Sequence, residues 1–325
     1  MVARGPAKSG WRARLPLAHR RGLTAAPRPP AAARGSPGRG NGAAGLDLTA
    51  VLLALAASLS WGVGDFIGGF KTRRLGTFTV LFVSQPPTLV LIAAVAIVRG
   101  VPLRPGPWIV AGVLAGLIGL IGLAAVYRGM AIGVVSVVST IAATGPVVPV
   151  LVGLALGERP GGLQLAGMAL ALGGVALLAF DRRPAQPGRR LVPGAGLALL
   201  AALAFGIFLV AIRFASRPDA VWGVLATRAG SVSALLLLGL WFRSRVKLRR
   251  PDLPALFAVG VLDVGADVFF AFATTIGLLS VVSILSSLYP VATVVLARIV
   301  LDERMARLQK LGIGLAFAGV VLISL

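Results

Sequence analysis

The chain has 325 residues, of which 57% are hydrophobic and only 13% are charged. Soluble domains carry about 25% charged residues, so this composition predicts a membrane protein. The net charge of +22 would suggest nucleic acid in a soluble protein, but no aromatic-basic motif accompanies it, so we expect no nucleic-acid partner. The chain has no cysteine, and its one histidine, His19, precedes the apolar region. Disulfides, thiol catalysis and histidine-based metal sites in the membrane are therefore excluded, and no cofactor is expected.

Residues 1–45 are rich in alanine, arginine, proline and glycine, and they contain nine of the 32 basic residues but no acidic residue. Such a segment has too little apolar content to form a core, so we expect a disordered basic tail. Arg20 and Arg21 resemble the start of a twin-arginine signal. No apolar stretch follows them, so a targeting function is not expected.

From Asp47 onward, apolar segments alternate with short gaps that carry the charges, prolines and glycines. A helix needs about 20 apolar residues to cross a hydrocarbon layer about 30 Å thick. The segments are too long for barrel strands, and their polarity does not alternate. Ten membrane-spanning helices are predicted, at residues 47–70, 76–98, 106–127, 133–157, 162–180, 193–213, 220–242, 253–275, 277–300 and 308–325.

The second half of the chain repeats the first half at a displacement of 144 residues. Residues 132–139 read IGVVSVVS and residues 276–283 read IGLLSVVS, and Pro146 and Pro290 keep the same displacement. Further on, the sequence GER at the end of the fourth span matches DER after the ninth. A constant displacement over several segments is hard to produce by chance, even in apolar sequence.

Each repeat contains an odd number of spans, so the two halves should lie inverted relative to each other. Inverted repeats are typical of secondary transporters, in which a site between the repeats opens alternately to each side. The predicted fold is therefore an all-α membrane protein of ten transmembrane helices, built as two inverted five-helix repeats at residues 46–181 and 191–325.

The sequence YRGMAIGVVSVVS…P…GERPGGLQLAG, with its second copy IGLLSVVSILSSLYP…DERMARLQKLG, resembles the EamA-type transporters of the drug/metabolite transporter superfamily. The opening SLSWGVGDFIGGFK is similar to that family's first helix, and the resemblance covers about residues 47–325. It implies a transporter of a small-molecule solute, often an exporter, in the plasma (inner) membrane with both termini cytoplasmic. Family members often carry an arginine in the second helix of a repeat. Arg228 has that place in the second half, and Ser84 has it in the first.

Ionisable residues inside membrane spans are costly and usually face a cavity or a partner. Four stand out here, namely Asp65, Arg228, Asp263 and Asp267. Asp263 and Asp267 are four residues apart and share one face of the eighth span, so they form either a cation- or proton-handling pair or a structural partner for an arginine. Arg228 and Asp267 fall at similar depths, so they could pair, either structurally or as part of a binding site.

The sequence favours a binding role less strongly for Asp65 and for the remaining candidates. Asp65 lies near the end of the first span, so it faces either the membrane interface or, together with Trp61 one turn earlier, a cavity. Small polar stripes occur at matching places in the fourth and ninth spans, each leading to a proline that frees a backbone carbonyl. They serve either helix packing or the lining of a cavity. The candidate serines are Ser136, Ser139, Ser280 and Ser283.

These patterns predict a secondary transporter that works by alternating access, with protons as the candidate coupling ion and the lipid bilayer as its surroundings. One alternative is a carboxylate-dependent membrane enzyme, but no HExxH, GxSxG or Walker sequence appears, so we expect no enzyme. The other is a membrane scaffold or sensor without transport, which would predict larger soluble loops. Loop charge alone would place the N-terminus outside, whereas the family resemblance places it inside.

Overall fold

A computed structural model of the protein describes residues 47–178, 193–242, 249–301 and 307–325. Within these ranges every regular element is helical, and the predicted tail at residues 1–45 lies outside them. A short 3-10 turn at Arg250–Asp252 precedes the ninth helix. The helices are α1 (Leu48–Leu75), α2 (Thr77–Val98), α3 (Trp108–Ile132), α4 (Val135–Ala142), α5 (Val147–Ala155), α6 (Gly162–Leu178), α7 (Ala195–Ala215), α8 (Ala220–Phe242), α9 (Leu253–Ile276), α10 (Leu279–Ser286), α11 (Tyr289–Val300) and α12 (Arg307–Ser324).

The ten predicted spans are all present as helical segments of the described residues. Nine are long and apolar enough to cross a membrane when α4 and α5, and likewise α10 and α11, are each taken as one span. The remaining span is α6, whose apolar part at Gly162–Leu177 is shorter. The prediction of an all-α membrane protein with ten transmembrane helices is therefore confirmed.

The fourth and ninth spans are interrupted at their centres. A four-residue turn separates α4 from α5, and a two-residue turn separates α10 from α11. In the first turn the amide of Gly145 donates to the carbonyl of Ala142 at 3.2 Å, and in the second the amide of Leu288 donates to the carbonyl of Leu285 at 3.3 Å. These bonds reach back three residues rather than four, as in a 3-10 helix. The proline of each repeat motif has no amide hydrogen to continue the α-helical pattern.

Helices at equivalent places in the two repeats pack in equivalent ways. Helix α1 packs against α9 of the second repeat, and its counterpart α7 packs against α3 of the first. The second helices, α2 and α8, contact each other, and so do the last helices, α6 and α12. With five spans per repeat, this exchange of partners is the packing expected of two inverted repeats around a shared centre.

The last helices of the two repeats come close together at glycines. A methyl group added at Gly174 of α6 would lie 2.6 Å from the carbonyl oxygen of Gly312 and 2.6 Å from the amide nitrogen of Ala316 on α12. One added at the adjacent Gly173 would meet no atom of the described residues within 4 Å. Small residues allow membrane helices to pack backbone against backbone. Gly174 therefore permits the close contact between α6 and α12.

The adjacent glycines give a matched test of this contact. Gly174→Ala should lower the unfolding temperature of the purified protein, because overpacking of a tight contact costs about 1–3 kcal/mol. Gly173→Ala should leave it unchanged or raise it slightly, because alanine is the better helix former. Differential scanning fluorimetry of both variants in detergent provides the measurement, and equal behaviour of the two would contradict the packing account.

A carboxylate from the first repeat caps a helix of the second. Glu158 follows α5, and its two oxygens accept hydrogen bonds from the amides of Leu279 at 2.7 Å and Ser280 at 2.9 Å, in the first turn of α10. The first amides of a helix have no partner within it, and the helix dipole favours a negative charge there. The GER sequence, recognised above only as part of the repeat, thus joins the two halves at one membrane face.

Removing the charge of this cap should weaken the connection between the repeats. Hydrogen bonds to a charged group contribute about 1.5–3 kcal/mol, and the amide of Glu158→Gln can accept only one of the two. We expect this variant to be less stable by about 2 kcal/mol. Arg159→Gln, at the exposed neighbouring position, should behave as the unchanged protein. Thermal unfolding in detergent distinguishes them, and an undiminished Glu158→Gln protein would show that the cap contributes little.

A second connection between the repeats lies at the same face. Arg99, which follows α2, forms two hydrogen bonds of 2.9 Å with the carboxylate of Asp219, which precedes α8. Partial burial would raise the pKa of Asp219, but the Arg99 guanidinium and the amides of Trp222 and Val221 outweigh it and lower that pKa. Asp219 therefore both caps α8 and binds the end of α2.

Candidate functional site

A cavity of about 770 Å³, with its opening included, lies among the central parts of the spans. Residues of six helices line it, namely α1, α2, α3, α7, α8 and α9. The rest of the lining comes from the two interrupted spans. The interruptions contribute Ala142 and Pro146 on one side and Ser286, Ser287 and Tyr289 on the other. The cavity is thus bounded by both repeats, and the turns that carry the repeated prolines lie at its wall.

The four ionisable residues singled out in the sequence meet at this cavity, together with Trp61. They come from three different helices, since Asp65 lies on α1, Arg228 on α8, and Asp263 and Asp267 on α9. None of the four is more than 8% exposed. The helices therefore bring together side chains up to 202 positions apart in the sequence.

Arg228 binds both carboxylates of α9. Its Nη1 donates to Oδ2 of Asp263 at 2.6 Å, and its Nη2 is hydrogen-bonded to Oδ2 of Asp267. The Arg228–Asp267 pair considered possible from helix depth is present, and Asp263 joins it because the two aspartates share one helical face. One guanidinium is therefore shared by two buried carboxylates.

Gln85 of α2 completes this network, although no pattern in the sequence selects it. Its Nε2 donates to Oδ2 of Asp263 at 2.9 Å, and its Oε1 accepts from Nη1 of Arg228. Gln85 carries no charge, so a search for ionisable residues in spans passes over it. The available signal is its place beside Ser84, which the repeat aligns with Arg228.

Asp65 faces the cavity rather than the membrane interface, because it is only 5% exposed and lines the cavity wall. Among the residues that the structure describes, none donates a hydrogen bond to its carboxylate or forms an ion pair with it. The groups that interact with it electrostatically are the carboxylate of Asp263 and the phenols of Tyr127 and Tyr289. The buried hydroxyl of Tyr289 also has no hydrogen-bond partner in the described part of the chain.

The rest of the wall is largely apolar and aromatic. Trp61 lies beside the Asp267 carboxylate and contacts the ring of Phe270, with 5.8 Å between the ring centroids. Phe205 and Phe208 of α7 line the cavity on the side of the second repeat. A pocket with apolar walls and a few convergent polar groups is the usual form of a small-molecule site.

The four candidate serines are not among the residues that line this cavity. They are buried within α4 and α10, and the hydroxyls of Ser139, Ser280 and Ser283 have no hydrogen-bond partner among the described residues. The remaining candidate, Ser136, is likewise buried in α4. Their positions favour the helix-packing interpretation over the cavity one. In the ninth span the serines that line the cavity are Ser286 and Ser287, about one turn after Ser283.

Two segments of the chain are similar to a family of known proteins. The model of the EamA-like transporter family matches residues 48–180 and again residues 192–325. The chain belongs to the EamA-like transporter family. The two matched segments correspond to the two halves related by the 144-residue displacement. As a member of this family the protein is a multi-pass integral membrane protein and a membrane transporter of the drug/metabolite transporter superfamily, and the family is one of transporters rather than enzymes.

Two individual proteins are also similar to this EamA-like transporter. An uncharacterized protein of Pseudomonas aeruginosa is 37% identical over 115 residues, which amount to 35% of this chain and 38% of that protein. A crystal structure of another protein aligns with a TM-score of 0.67 over 85% of this chain and 96% of the other, at 20% identity. At that identity the likeness supports the fold alone.

Proposed function

We propose that this protein is a secondary transporter that moves a small metabolite or drug-like solute across the plasma (inner) membrane by alternating access. The observation that carries the proposal is the cavity, which is walled by both inverted repeats and by the interrupted turns of two spans. In inverted-repeat transporters a central site is exposed to one side and then the other as the repeats rock. Export is the proposed direction, with both termini in the cytoplasm.

Protons are the proposed coupling ion, because the cavity holds buried carboxylates that can gain a proton on one side and lose it on the other. The sequence pattern favours Asp263 and Asp267 for this role. Both already contact the Arg228 guanidinium and share its single positive charge. Asp65 has no such cation among the described residues, and we infer that it carries the coupling proton. Its titration depends on the groups that face it, namely Asp263, Tyr127 and Tyr289.

The transport proposal is tested by solute exchange in proteoliposomes. Purified protein is reconstituted, the liposomes are preloaded with one member of a panel of amino acids, amines, nucleosides and aromatic acids, and entry of the labelled form is followed. We expect at least one solute to exchange faster than in protein-free liposomes. An imposed pH gradient should then drive its accumulation. Absence of exchange across the panel, in protein that elutes as a folded species, would contradict transport.

A further inference from the structure

The charges in the cavity do not balance. Three carboxylates line it, and Arg228 is the only lysine, arginine or histidine among its lining residues in the described part of the chain. Both Nη atoms of Arg228 are already hydrogen-bonded to Asp263, Asp267 or Gln85, and only its buried Nε lacks a partner among the described residues. With all groups ionised, the site therefore carries more negative charge than positive.

Part of this excess negative charge belongs to Asp65, which has no cation beside it among the described residues. Burying a carboxylate without a partner is costly, so an ionised Asp65 favours any ligand that supplies a positive charge. The hydroxyl of Tyr289, unpartnered within the described residues, lines the same cavity and offers a polar contact near that carboxylate. Two buried polar groups that lack partners in the described chain therefore line the same cavity.

The aromatic side chains of the cavity wall fit a cation as well. Trp61, Phe205, Phe208 and Tyr289 all line the cavity. The faces of aromatic rings attract cations, most strongly when water is excluded, and their bodies pack against apolar groups. A small cation with an apolar or aromatic body would therefore find both a counter-ion and an apolar wall.

We propose that the cavity binds organic cations, such as amines and quaternary ammonium compounds with an apolar body, and that Asp65 is their counter-ion. This inference rests on the proposed function only in that the bound solute is also the transported one. An anionic solute is disfavoured, because it would have to displace an aspartate from Arg228 or approach three carboxylates.

Three probes with the same phenethyl body separate the effect of charge from that of shape. They are phenethyltrimethylammonium, 2-phenylethanol and 3-phenylpropionate, which are cationic, neutral and anionic. Binding to the full-length protein in lipid nanodiscs is measured by isothermal titration at one pH. We expect the cation to bind at least tenfold more tightly than the alcohol and the acid to bind weakest, since a charged hydrogen bond or ion pair is typically worth a factor of ten or more. Tighter binding of the acid, or no binding of the cation at millimolar concentration, would overturn the proposal.

Two variants of α1 and its cap localise the charge. Asp65→Asn should weaken binding of the cation at least tenfold and leave that of the alcohol unchanged, because only the ionic contact is removed. Asp47→Asn makes the same change at the exposed residue that caps α1 outside the cavity, where asparagine caps equally well, so it should bind as the unchanged protein does. If Asp65→Asn does not fold, Asp65→Glu should retain the preference for the cation. Unchanged cation binding by folded Asp65→Asn would contradict the assignment.

Exchange of the same probe keeps the two proposals distinguishable. The permanent charge of phenethyltrimethylammonium prevents it from leaking through lipid, so its exchange requires the protein. Binding without exchange of this probe would support the cation site and contradict its role as a transport site. Exchange of anionic solutes without cation binding would support transport and overturn the cation site.

Discussion

Replacing Arg228 with glutamine should lower the unfolding temperature of the purified protein more than loss of any other single contact described above. The change leaves Asp263 and Asp267 buried on one helical face with no cation between them. Breaking a buried ion pair by removing one partner typically costs about 3–5 kcal/mol, because the remaining charge is neither solvated nor compensated. Asp267→Asn alone should also destabilise the protein, though less, because Asp263 still pairs with the arginine.

The same account predicts a rescue. Combining Arg228→Gln with Asp263→Asn and Asp267→Asn removes all three charges and leaves neutral amides that can hydrogen-bond to one another and to Gln85. The triple variant should recover most of the lost stability, since replacing a whole buried ionic group is far less costly than removing one member. Arg217→Gln is the matched control, because Arg217 lies outside the spans and stacks on Phe214 at 4.2 Å. A triple variant no more stable than Arg228→Gln would show that the charges are not the reason for the loss.

The architecture can be predicted because the bilayer restricts what a sequence can form. Apolar segments of about 20 residues leave helices as the spanning unit, and the displacement shared by residues 132–139 and 276–283 exposes the repeat. Helix depth and helical periodicity are also sufficient to place Arg228 near Asp267. These predictions depend on patterns within one span or on the order of spans, which a sequence displays directly.

The serine stripes are residues whose place relative to the cavity the sequence does not predict. A single helix extended through residues 277–300 would project Ser280 and Ser283 into a cavity. In the structure Ser280 lies in the first turn of α10, at the Glu158 cap, and the residues that reach the cavity are Ser286 and Ser287, beside the turn between α10 and α11. A proline signals that a helical hydrogen bond is lost, but the neighbouring helices determine which residues the resulting turn exposes.

Contacts between residues far apart in the chain are equally hard to predict. Glu158 lies outside every predicted span, and its partners are the backbone amides of residues 121 and 122 positions away. Gln85 is neutral, and its role depends on Arg228 and Asp263 being opposite it. No single-sequence pattern distinguishes such residues from other polar ones, because the signal is the identity of the partner.

Asp65→Asn should abolish accumulation of a transported solute driven by a pH gradient while exchange at saturating solute persists. The amide resembles the protonated acid in shape and charge but cannot release a proton, so the carrier can still change its exposed side without moving one. Proton movement is measured with a pH-sensitive dye inside the proteoliposomes, and solute movement with a radiolabel. Asp47→Asn, which changes the cap of the same helix outside the cavity, should remain fully coupled.

Variants of the two α9 aspartates test whether Asp65 carries the coupling proton or whether Asp263 or Asp267 does, as the sequence pattern favours. If Asp263 and Asp267 serve mainly to hold Arg228, then Asp263→Asn and Asp267→Asn should lower stability, and the folded fraction of each should still couple solute to protons. If one of them carries the proton instead, that variant should lose pH-driven accumulation while Asp65→Asn retains it. The three variants are therefore compared at equal amounts of folded protein in the same liposomes, because only the ratio of proton movement to solute movement separates coupling from stability. Asp65 is the expected residue, since among the described carboxylates of the cavity it is the one without a cation beside it.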